Sequence, residues 1–377
     1  MKIGFDAKRA VQNYTGLGNY SRYIVEILAQ LYPENNYILY APRKKRNEQL
    51  NHLLETYKQI KTVYPVQFIW RKLSSLWRVW GMSSQLKDDG IQVFHGLSNE
   101  LPLTIKKAGV KSVVTIHDLI FLRFPQYYKP IDRKIYTYKF RKACENADQI
   151  IAISACTKRD IIDFFGIAED KIKVVYQGCD DTFRKEASPE KKAEVRTTYH
   201  LPERYILNVG SIEERKNVLL VAQAVDRLPQ DTHLVIVGKR TAYTQEVEAF
   251  IREHHLQERI HIYSNVPFND LPAIYQQAEA FVYPSRYEGF GIPIIEALHS
   301  NVPVVGATGS CLEEAGGPSC MYVHPDSVDE MAEALNDILS NTAKRQEMIA
   351  HGKAFVKQFS KEKQAAELMN IYRQFVD

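Results

Sequence analysis

The nine-residue string EGFGIPIIE, residues 288–296, brings two carboxylates and two glycines together directly after an apolar run. That run, AFVYPS at 280–285, predicts a buried strand, and Pro293 fits the first turn of a following helix. Gly289 and Gly291 allow the backbone to come close to a ligand. The string therefore predicts a phosphate-facing loop, because the free amides at a helix N-terminus attract anions.

Glu288 and Glu296 flank this loop, one before the helix and one about a turn into it. A carboxylate accepts two hydrogen bonds side by side, which suits the vicinal hydroxyls of a sugar or a ribose. In this interpretation the amides around Gly291 and Ile292 face the anion. The plainer interpretation is that both glutamates are surface acids around a tight strand-to-helix turn.

Two adjacent cations, Arg215 and Lys216, follow a second predicted strand, YILNVG at 205–210. In open α/β sheets ligands bind beyond the carboxyl ends of the strands, so this position faces a binding crevice. A guanidinium and an ammonium group there suit a diphosphate leaving group. The alternative is a solvated charge run in which Glu213 and Glu214 pair with the two cations.

The composition of the 377 residues is that of a globular two-domain protein, with 45% hydrophobic and 25% charged residues. A net charge of +4 is too small for the dense basic stripes of nucleic-acid binding. The start, MKIGFDAKRA, lacks the apolar run of a signal peptide, and no stretch offers 18 consecutive apolar residues. Five cysteines without a CxxC favour a reducing compartment. We expect a cytoplasmic protein, with peripheral contact to the inner face of the membrane left open.

Short apolar runs alternate with helix-period segments along the chain, which predicts parallel sheets covered by helices. The series begins with KIGFDA and restarts at YILNVG, after the polar passage DDTFRKEASPEKKAE. Two Rossmann-like domains are therefore predicted, the first over 1–180 and the second over 181–359. A final helix at 360–377 carries one apolar face.

The order of motifs resembles glycosyltransferase family 4, whose members have the GT-B fold and retain the anomeric configuration of the sugar. The two glutamates of EGFGIPIIE match the family's donor-site signature, in which seven residues separate them. Further motifs fall in family order over almost the whole chain: GLGNYSRY, TIHDL, ADQIIAISACTKRDI, ILNVGSIEERKN and LVIVGKR. The resemblance implies two Rossmann-like domains facing across a deep cleft, with the C-terminal helix crossing back to the first domain. The first domain would bind the acceptor and the second the nucleotide-sugar donor.

The resemblance also implies roles for individual residues. Glu296 would hold the donor ribose, Glu288 would face the donor sugar, and Arg215 with Lys216 would neutralise the departing diphosphate. The remaining donor-binding positions are glycines and backbone amides of three loops: Gly16 and Gly18 of the first domain, and Gly210, Gly289, Phe290, Gly291 and Ile292 of the second.

No metal and no organic cofactor are predicted. The adjacent Asp180 and Asp181 do not form the Asp-x-Asp that holds a divalent ion in sugar transferases of the other major fold. If the basic pair and a helix N-terminus supply the positive charge, a metal is not needed. The GLG at 16–18 lacks the third glycine of the dinucleotide fingerprint, since Ser21 stands there, which argues against NAD.

His117 and Asp118 end the predicted strand VVTIHD, and His95 ends VFHG. An isolated histidine at a strand end is more often structural than catalytic. By the resemblance, His117 would contact the donor sugar, whereas Asp118 and His95 are candidates for the acceptor side.

All three tryptophans lie in FIWRKLSSLWRVWGM at 68–82. The spacing predicts a helix whose face carries Ile69, Leu73, Leu76 and Trp80. The favoured interpretation is that this face packs in the core of the first domain, with the basic residues solvated. The alternative is an interfacial helix that docks on anionic membrane.

Together these features predict a metal-independent, retaining hexosyltransferase acting on a glycan or lipid-linked acceptor. The early GLGNY, TIHDL and ERKN are most similar to the family's mannosyltransferase-like branch, which suggests GDP-mannose as donor. The alternatives are a catalytically inactive sugar-nucleotide-binding protein and a GT-B epimerase or inverting transferase. The sequence does not indicate an oligomeric state.

Overall fold

The computed structural model describes residues 1–14 and 16–376. They form two compact units, one containing Met1–Tyr176 and the chain from Lys361 onward, the other containing Gln177–Ser360. The polar passage predicted to connect two domains lies within the second unit, where it forms a 3₁₀ turn, Asp181–Arg184, and the start of a helix, Pro189–Thr198.

The first unit contains a seven-stranded parallel sheet with the order β3-β2-β1-β4-β5-β6-β7. Its strands are β1 (Lys2–Asp6), β2 (Asn36–Tyr40), β3 (Ile60–Val63), β4 (Val93–Gly96), β5 (Lys111–Ile116), β6 (Gln149–Ala152) and β7 (Ile172–Val174). The helices of this unit are α1 (Lys8–Gln12), α2 (Gly16–Leu31), α3 (Glu48–Thr56), α4 (Phe68–Lys72), α5 (Ser74–Leu76), α6 (Met82–Asp88), α7 (Ile120–Arg123), α8 (Pro130–Asn146), α9 (Ala155–Phe165) and the C-terminal helix, Lys361–Arg373.

The second unit contains a six-stranded parallel sheet with the order β10-β9-β8-β11-β12-β13. Its strands are β8 (Tyr205–Val209), β9 (His233–Val237), β10 (Ile260–Tyr263), β11 (Ala280–Tyr283), β12 (Val304–Ala307) and β13 (Met321–Val323). Its helices are α10 (Pro189–Thr198), α11 (Val218–Asp226), α12 (Thr244–Glu253), α13 (Leu271–Gln276), α14 (Ile292–His299), α15 (Leu312–Gly316), α16 (Val328–Ser340) and α17 (Thr342–Phe355). Both sheets have the strand order of a doubly wound Rossmann fold, as predicted.

The unbroken apolar runs of the sequence become strands that helices cover on both faces, and this is why they show no alternation. Ten of the thirteen strands in the described residues coincide with a run that predicts a strand. The three exceptions are β3, β7 and β13, which contain three or four residues and lie at sheet edges. Edge strands of this length carry too few apolar residues to produce a recognisable run.

The C-terminal helix belongs to the first unit, as predicted. Its apolar face, including Ala365, Leu368, Met369 and Tyr372, is fully buried in the same core cluster as β1 and α2. The chain therefore leaves the first unit after Tyr176 and returns to it at Lys361.

The 68–82 segment differs from the predicted helix. It is divided into α4, a break at Leu73, α5 and a π-helical turn at Trp77–Gly81. The expectation that its apolar face packs in the core was wrong: Ile69, Leu73, Leu76 and Trp80 are 39 to 59% exposed, whereas Trp77 is 2% exposed.

The sequence suggested that Arg78 in the same turn is solvated, but its side chain is buried. Its Nη2 lies 2.6 Å from Asp6 Oδ2 and its Nη1 lies 2.7 Å from Glu100 Oε2. No helix of the described residues is long and apolar enough to span a bilayer.

Candidate active site

The main candidate site lies in the second unit at the point where its strand order reverses, between β8 and β11. The loop after β8 carries Arg215 and Lys216, and the loop after β11 carries Glu288. Seventy-odd residues separate these groups in sequence, but β8 and β11 pair directly, so their carboxyl ends are adjacent. This reversal is where open α/β sheets bind ligands.

The carboxylate of Glu288 joins the two loops. Its Oε1 lies 2.8 Å from Arg215 Nη1 and 3.4 Å from Lys216 Nζ. The same oxygen accepts hydrogen bonds from Tyr283 Oη at 3.0 Å and Ser285 Oγ at 2.9 Å. The side chains of Glu288, Arg215 and Lys216 are 14, 13 and 18% exposed, so this cluster is largely shielded from water.

The cluster keeps all three of its charged groups ionised. Burial alone would raise the pKa of Glu288, but Lys216 and Arg215 outweigh it and lower that pKa to about 2. Burial opposes charge on both cations, yet Glu288 and then Tyr283 raise their pKa values above the ordinary ones. These three buried groups therefore carry one net positive charge over the whole neutral range, and the more exposed Glu213 lies 3.7 Å from Arg215 Nη2.

Further hydrogen bonds fix the positions of the two cations. Arg215 Nη1 also donates to the carbonyl oxygen of Tyr287, which belongs to the Glu288 loop. Lys216 Nζ donates to Tyr283 Oη at 2.9 Å, and this phenol in turn donates to Glu288. Tyr283 thus connects the ammonium to the carboxylate, and both cations are held before a ligand arrives.

Two glycines make room for the basic loop. Gly210 has φ +153°, which L residues rarely adopt, and a Cβ there would lie 3.2 Å from Lys216 Nζ. A Cβ on Gly238 would lie 1.7 Å from the carbonyl oxygen of Gly210. Gly210 lies in the predicted donor loop, and its role in this structure is to let Lys216 pass close to the backbone.

The glycine-rich string forms the predicted turn into a helix. Gly291, with φ +133°, caps α14, whose first residue is Ile292. A Cβ on Gly291 would lie 3.1 Å from Leu312 Cδ2, so close packing as well as conformation requires glycine. Phe290 is 3% exposed and stacks edge-on against Phe359 at 5.5 Å. The string therefore turns into a helix at Ile292, as the sequence predicted.

Glu296 lies one turn into α14 in a different environment from Glu288. Tyr275 Oη donates to its Oε2 at 2.9 Å. Burial raises the pKa of Glu296 to about 7, the Tyr275 hydrogen bond lowers it, and the charge of Asp180 raises it. Of the two glutamates, Glu288 is always ionised near neutrality, while Glu296 exchanges a proton there.

In the first unit, His117 follows β5 and is 6% exposed. Its Nε2 lies 2.8 Å from the carbonyl oxygen of Leu97, and its ring meets Tyr20 edge-on at 4.6 Å. Burial lowers the pKa of His117 to about 4, against the effect of the Leu97 carbonyl. The ring is therefore neutral at pH 7. Its proton is on Nε2, because only a donor can bond a carbonyl, and Nδ1 is consequently an acceptor.

His95 and Asp118 have structural roles in this unit. His95 is fully buried, with Nδ1 2.6 Å from Tyr372 Oη and Nε2 2.8 Å from Thr115 Oγ1. It therefore presents no surface to an acceptor, and it joins β4 to the C-terminal helix instead. Asp118 Oδ1 accepts from the backbone amide of Ile120 at 3.2 Å and so supports the start of α7.

Gly16 and Gly18 lie in the first turn of α2. A Cβ on Gly18 would be 2.0 Å from the carbonyl oxygen of Asn13, whereas one on Gly16 would meet nothing within 4 Å. Gly18 is thus required by packing within the unit, and Gly16 leaves open space at a helix N-terminus.

Sequence reasoning missed Tyr275, Tyr283 and Ser285. Tyr283 and Ser285 belong to the run AFVYPS, which ends two residues before the signature string, and their spacing of two along an extended chain was a usable signal. Tyr275 gave none, because a tyrosine in an apolar helix predicts core packing and does not show which partner its hydroxyl finds.

Solved structures share this fold over the whole chain. A glycosyltransferase from Rickettsia africae superposes with a TM-score of 0.79 at 19% identity, covering 100% of this chain and 98% of that one. The Anabaena protein HepE, solved with UDP and glucose, superposes with a TM-score of 0.77 at 18% identity, covering 99% and 100%. These likenesses define the fold class: the protein has the GT-B fold.

Sequence comparison then identifies the family. The model described as Glycosyltransferase Family 4 matches residues 15–183, and that described as Glycosyl transferases group 1 matches 191–355. The chain belongs to glycosyltransferase family 4 and is an enzyme that transfers sugars. It is similar to O-antigen chain mannosyltransferase B of Escherichia coli, with 29% identity over 99% of this chain and 100% of that protein.

Proposed function

We propose that the enzyme transfers mannose from GDP-mannose to a hydroxyl of a glycan or lipid-linked acceptor, with retention of configuration and without a metal ion. The observation that carries this proposal is the buried cluster of Arg215, Lys216 and Glu288 beside a glycine-rich helix start. Two fixed cations and one fixed carboxylate suit a diphosphate that departs from a sugar.

The reaction breaks the bond between the sugar C1 and the diphosphate oxygen and forms a bond from C1 to the acceptor oxygen. Arg215, Lys216 and the amides of 289–292 stabilise the charge that grows on the departing diphosphate. One donor group of this kind contributes a few kcal/mol, or about 10²–10³ in rate. The acceptor proton passes to a diphosphate oxygen, and this balances the step without a further base.

Each glutamate has a role that follows from its ionisation. Glu288 is ionised throughout the neutral range and binds a sugar hydroxyl while holding the two cations in place. Glu296 accepts hydrogen bonds from the ribose hydroxyls and does so best as a carboxylate. Donor binding therefore draws a proton from Glu296, whose pKa is about 7 in the free site.

In the first unit, we assign His117, whose neutral ring holds its Nε2 proton on the Leu97 carbonyl, to contact with the donor sugar. The Gly16–Gly18 turn brings a helix N-terminus with open space for an anion. In this proposal the first unit also binds the acceptor, and the second unit binds the nucleotide-sugar donor.

The sugar is inferred from the mannosyltransferase that this chain resembles over its whole length. The nucleotide base of the donor is less constrained than its sugar, because donor sites of this kind recognise the base largely by shape and backbone contacts.

The test is incubation of the purified protein with a panel of GDP-, UDP- and ADP-sugars and saccharide acceptors, with NMR of the product. We expect turnover with GDP-mannose and an α-mannoside product. Turnover with another donor would correct the substrate. A product of inverted configuration would refute retention, and nucleotide binding without any transfer would favour the inactive alternative.

A further inference from the structure

Large exposed apolar side chains concentrate in two segments of the first unit. Thirteen such side chains are exposed among the described residues, and ten of them lie within 66–80 and 131–138. Phe68 is 73% exposed, Trp80 49% and Ile131 62%. Single exposed apolar residues are normal on a protein, but a contiguous group marks an interaction surface. We refer to the exposed side chains of 66–80 and 131–138 as the apolar surface.

The two segments cover the same face of the seven-stranded sheet. Trp77 from the first and Phe140 from the helix that carries the second are buried in one core cluster on that face. Glu100 also ties them together, because its Oε2 lies 2.7 Å from Arg78 Nη1 and 3.5 Å from Lys139 Nζ. With their inner sides fixed on one core, the outward side chains of both segments lie on the same side of the unit.

The apolar surface is strongly basic. Residues 66–81 and 129–142 together contain nine Lys or Arg and a single acid, Asp132, in a chain whose total net charge is only +4. Arg78, Lys139 and Lys142 form ion pairs with acids outside these ranges, but four cations are exposed beside the apolar side chains: Arg71, Lys72, Lys129 and Lys134. A mixture of aromatic, aliphatic and basic side chains on one face is typical of interfacial membrane-binding surfaces.

We propose that the apolar surface docks on an anionic lipid bilayer, with its aromatic and aliphatic side chains in the headgroup region and its cations on headgroup phosphates. Charge selects this occupant over a second copy of the chain. In a symmetric dimer the same basic surface of both copies would meet, with one acid on each copy to offset the cations. Short helical pieces that begin and end within the segment suit a surface that lies along a bilayer.

The test is co-sedimentation of the full chain with vesicles of phosphatidylcholine alone, or with one third phosphatidylglycerol. Wild type should bind the anionic vesicles at least about tenfold more tightly, and less so as salt is raised. Phe68→Ser/Trp80→Ser should reduce this binding by about tenfold. Arg71→Gln/Lys72→Gln should remove about half of its salt dependence, because Lys129 and Lys134 remain. Phe268→Ser is the matched control, because Phe268 is 42% exposed but lies in the other unit. Trp77 is not a suitable probe, since it is buried.

Thermal melting should show that these exposed substitutions leave the fold intact, and Trp80 should give a blue-shifted emission on binding. The proposal is overturned if wild type stays in the supernatant, if both vesicle types bind it equally, or if Phe68→Ser/Trp80→Ser binds like Phe268→Ser. It is also overturned if sedimentation without lipid shows a dimer that this double variant disrupts. The apolar surface and the donor site lie in different units. The vesicle-binding result therefore does not depend on whether the protein transfers a sugar.

Discussion

Replacing Tyr275 by phenylalanine should shift the pH dependence of donor binding upward. Tyr275 donates a hydrogen bond to Glu296 at 2.9 Å, and this bond lowers a pKa that burial and Asp180 raise to about 7. Ribose hydroxyls bind the carboxylate form, so nucleotide affinity in wild type should fall as the pH drops below about 7. Without the phenol, the same loss of affinity should begin at a higher pH.

The size of the shift follows from the strength of one hydrogen bond to a charged group. Such a bond contributes ~1.5–3 kcal/mol, which corresponds to about one to two pKa units. The pKa of Glu296 in Tyr275→Phe should therefore lie between about 8 and 9. At pH 7.5 most wild-type sites are ionised but only about a tenth of the variant sites are, so the dissociation constant should rise by about tenfold. Above pH 10 the two proteins should converge.

The assay is isothermal titration calorimetry with the nucleoside diphosphate that wild type binds, from pH 6 to 10. Buffers of different ionisation enthalpy should also reveal one proton released on binding near pH 7. Tyr205→Phe is the matched control: its hydroxyl is equally buried but donates to the Ile274 carbonyl at 2.6 Å. That variant should lose stability and keep the wild-type pH profile. Flat affinity between pH 6 and 9, or coincident curves for Tyr275→Phe and wild type, would refute the reasoning.

Three further predictions concern the rest of the framework. Tyr283→Phe removes the phenol between Lys216 and Glu288, so kcat should fall by about tenfold with little change in donor KM; unchanged steady-state rates would contradict this. Gly238→Ala places a Cβ 1.7 Å from a backbone oxygen, so thermal unfolding should show a loss of ~3 kcal/mol or more, and a wild-type melting temperature would show that the loop can move. Arg78→Met leaves the buried carboxylate of Asp6 without its cation and Glu100 with Lys139 alone, so it should cost ~3–5 kcal/mol in urea unfolding, whereas a cost below ~1 kcal/mol would mean that the pair is not buried in solution.

Much of the fold could be predicted, because parallel strands buried on both faces leave unmistakable apolar runs. The same strand-by-strand pattern placed Arg215 and Glu288 independently at carboxyl ends. That they meet at 2.8 Å depends on β8 pairing with β11, which residue spacing alone does not specify. The signature string supplied the chemistry, and sheet topology supplied the contact.

Side-chain environments could not be predicted in the same way. Glu288 and Glu296 belong to one short string, yet one has a pKa of about 2 and the other of about 7. Burial raises the pKa of both glutamates, but Lys216 and Arg215, which are distant in sequence, outweigh burial only at Glu288. His95 illustrates the converse: a strand-end histidine suggested a binding role, but its partner Tyr372 lies on the C-terminal helix and holds it in the core.

The 68–82 segment shows why periodicity can fail. The spacing of Ile69, Leu73, Leu76 and Trp80 describes one helical face, and an apolar face normally turns inward. In the structure the segment breaks at Leu73 and widens into a π turn, so that Trp77 and Arg78 occupy the interior instead. A local break of this kind changes which residues face the core without changing their spacing in the sequence.

We propose that Arg215 and Lys216 neutralise the departing diphosphate in place of a metal ion. This can be tested by measuring the turnover of wild type and Arg215→Ala in excess EDTA, with Arg227→Ala as control, because Arg227 forms an exposed ion pair with Asp329. Wild type and Arg227→Ala should retain full turnover in chelator, while Arg215→Ala should lose about 10²-fold or more. Loss of wild-type turnover in EDTA that Mg²⁺ restores, or a near wild-type rate for Arg215→Ala, would contradict the account.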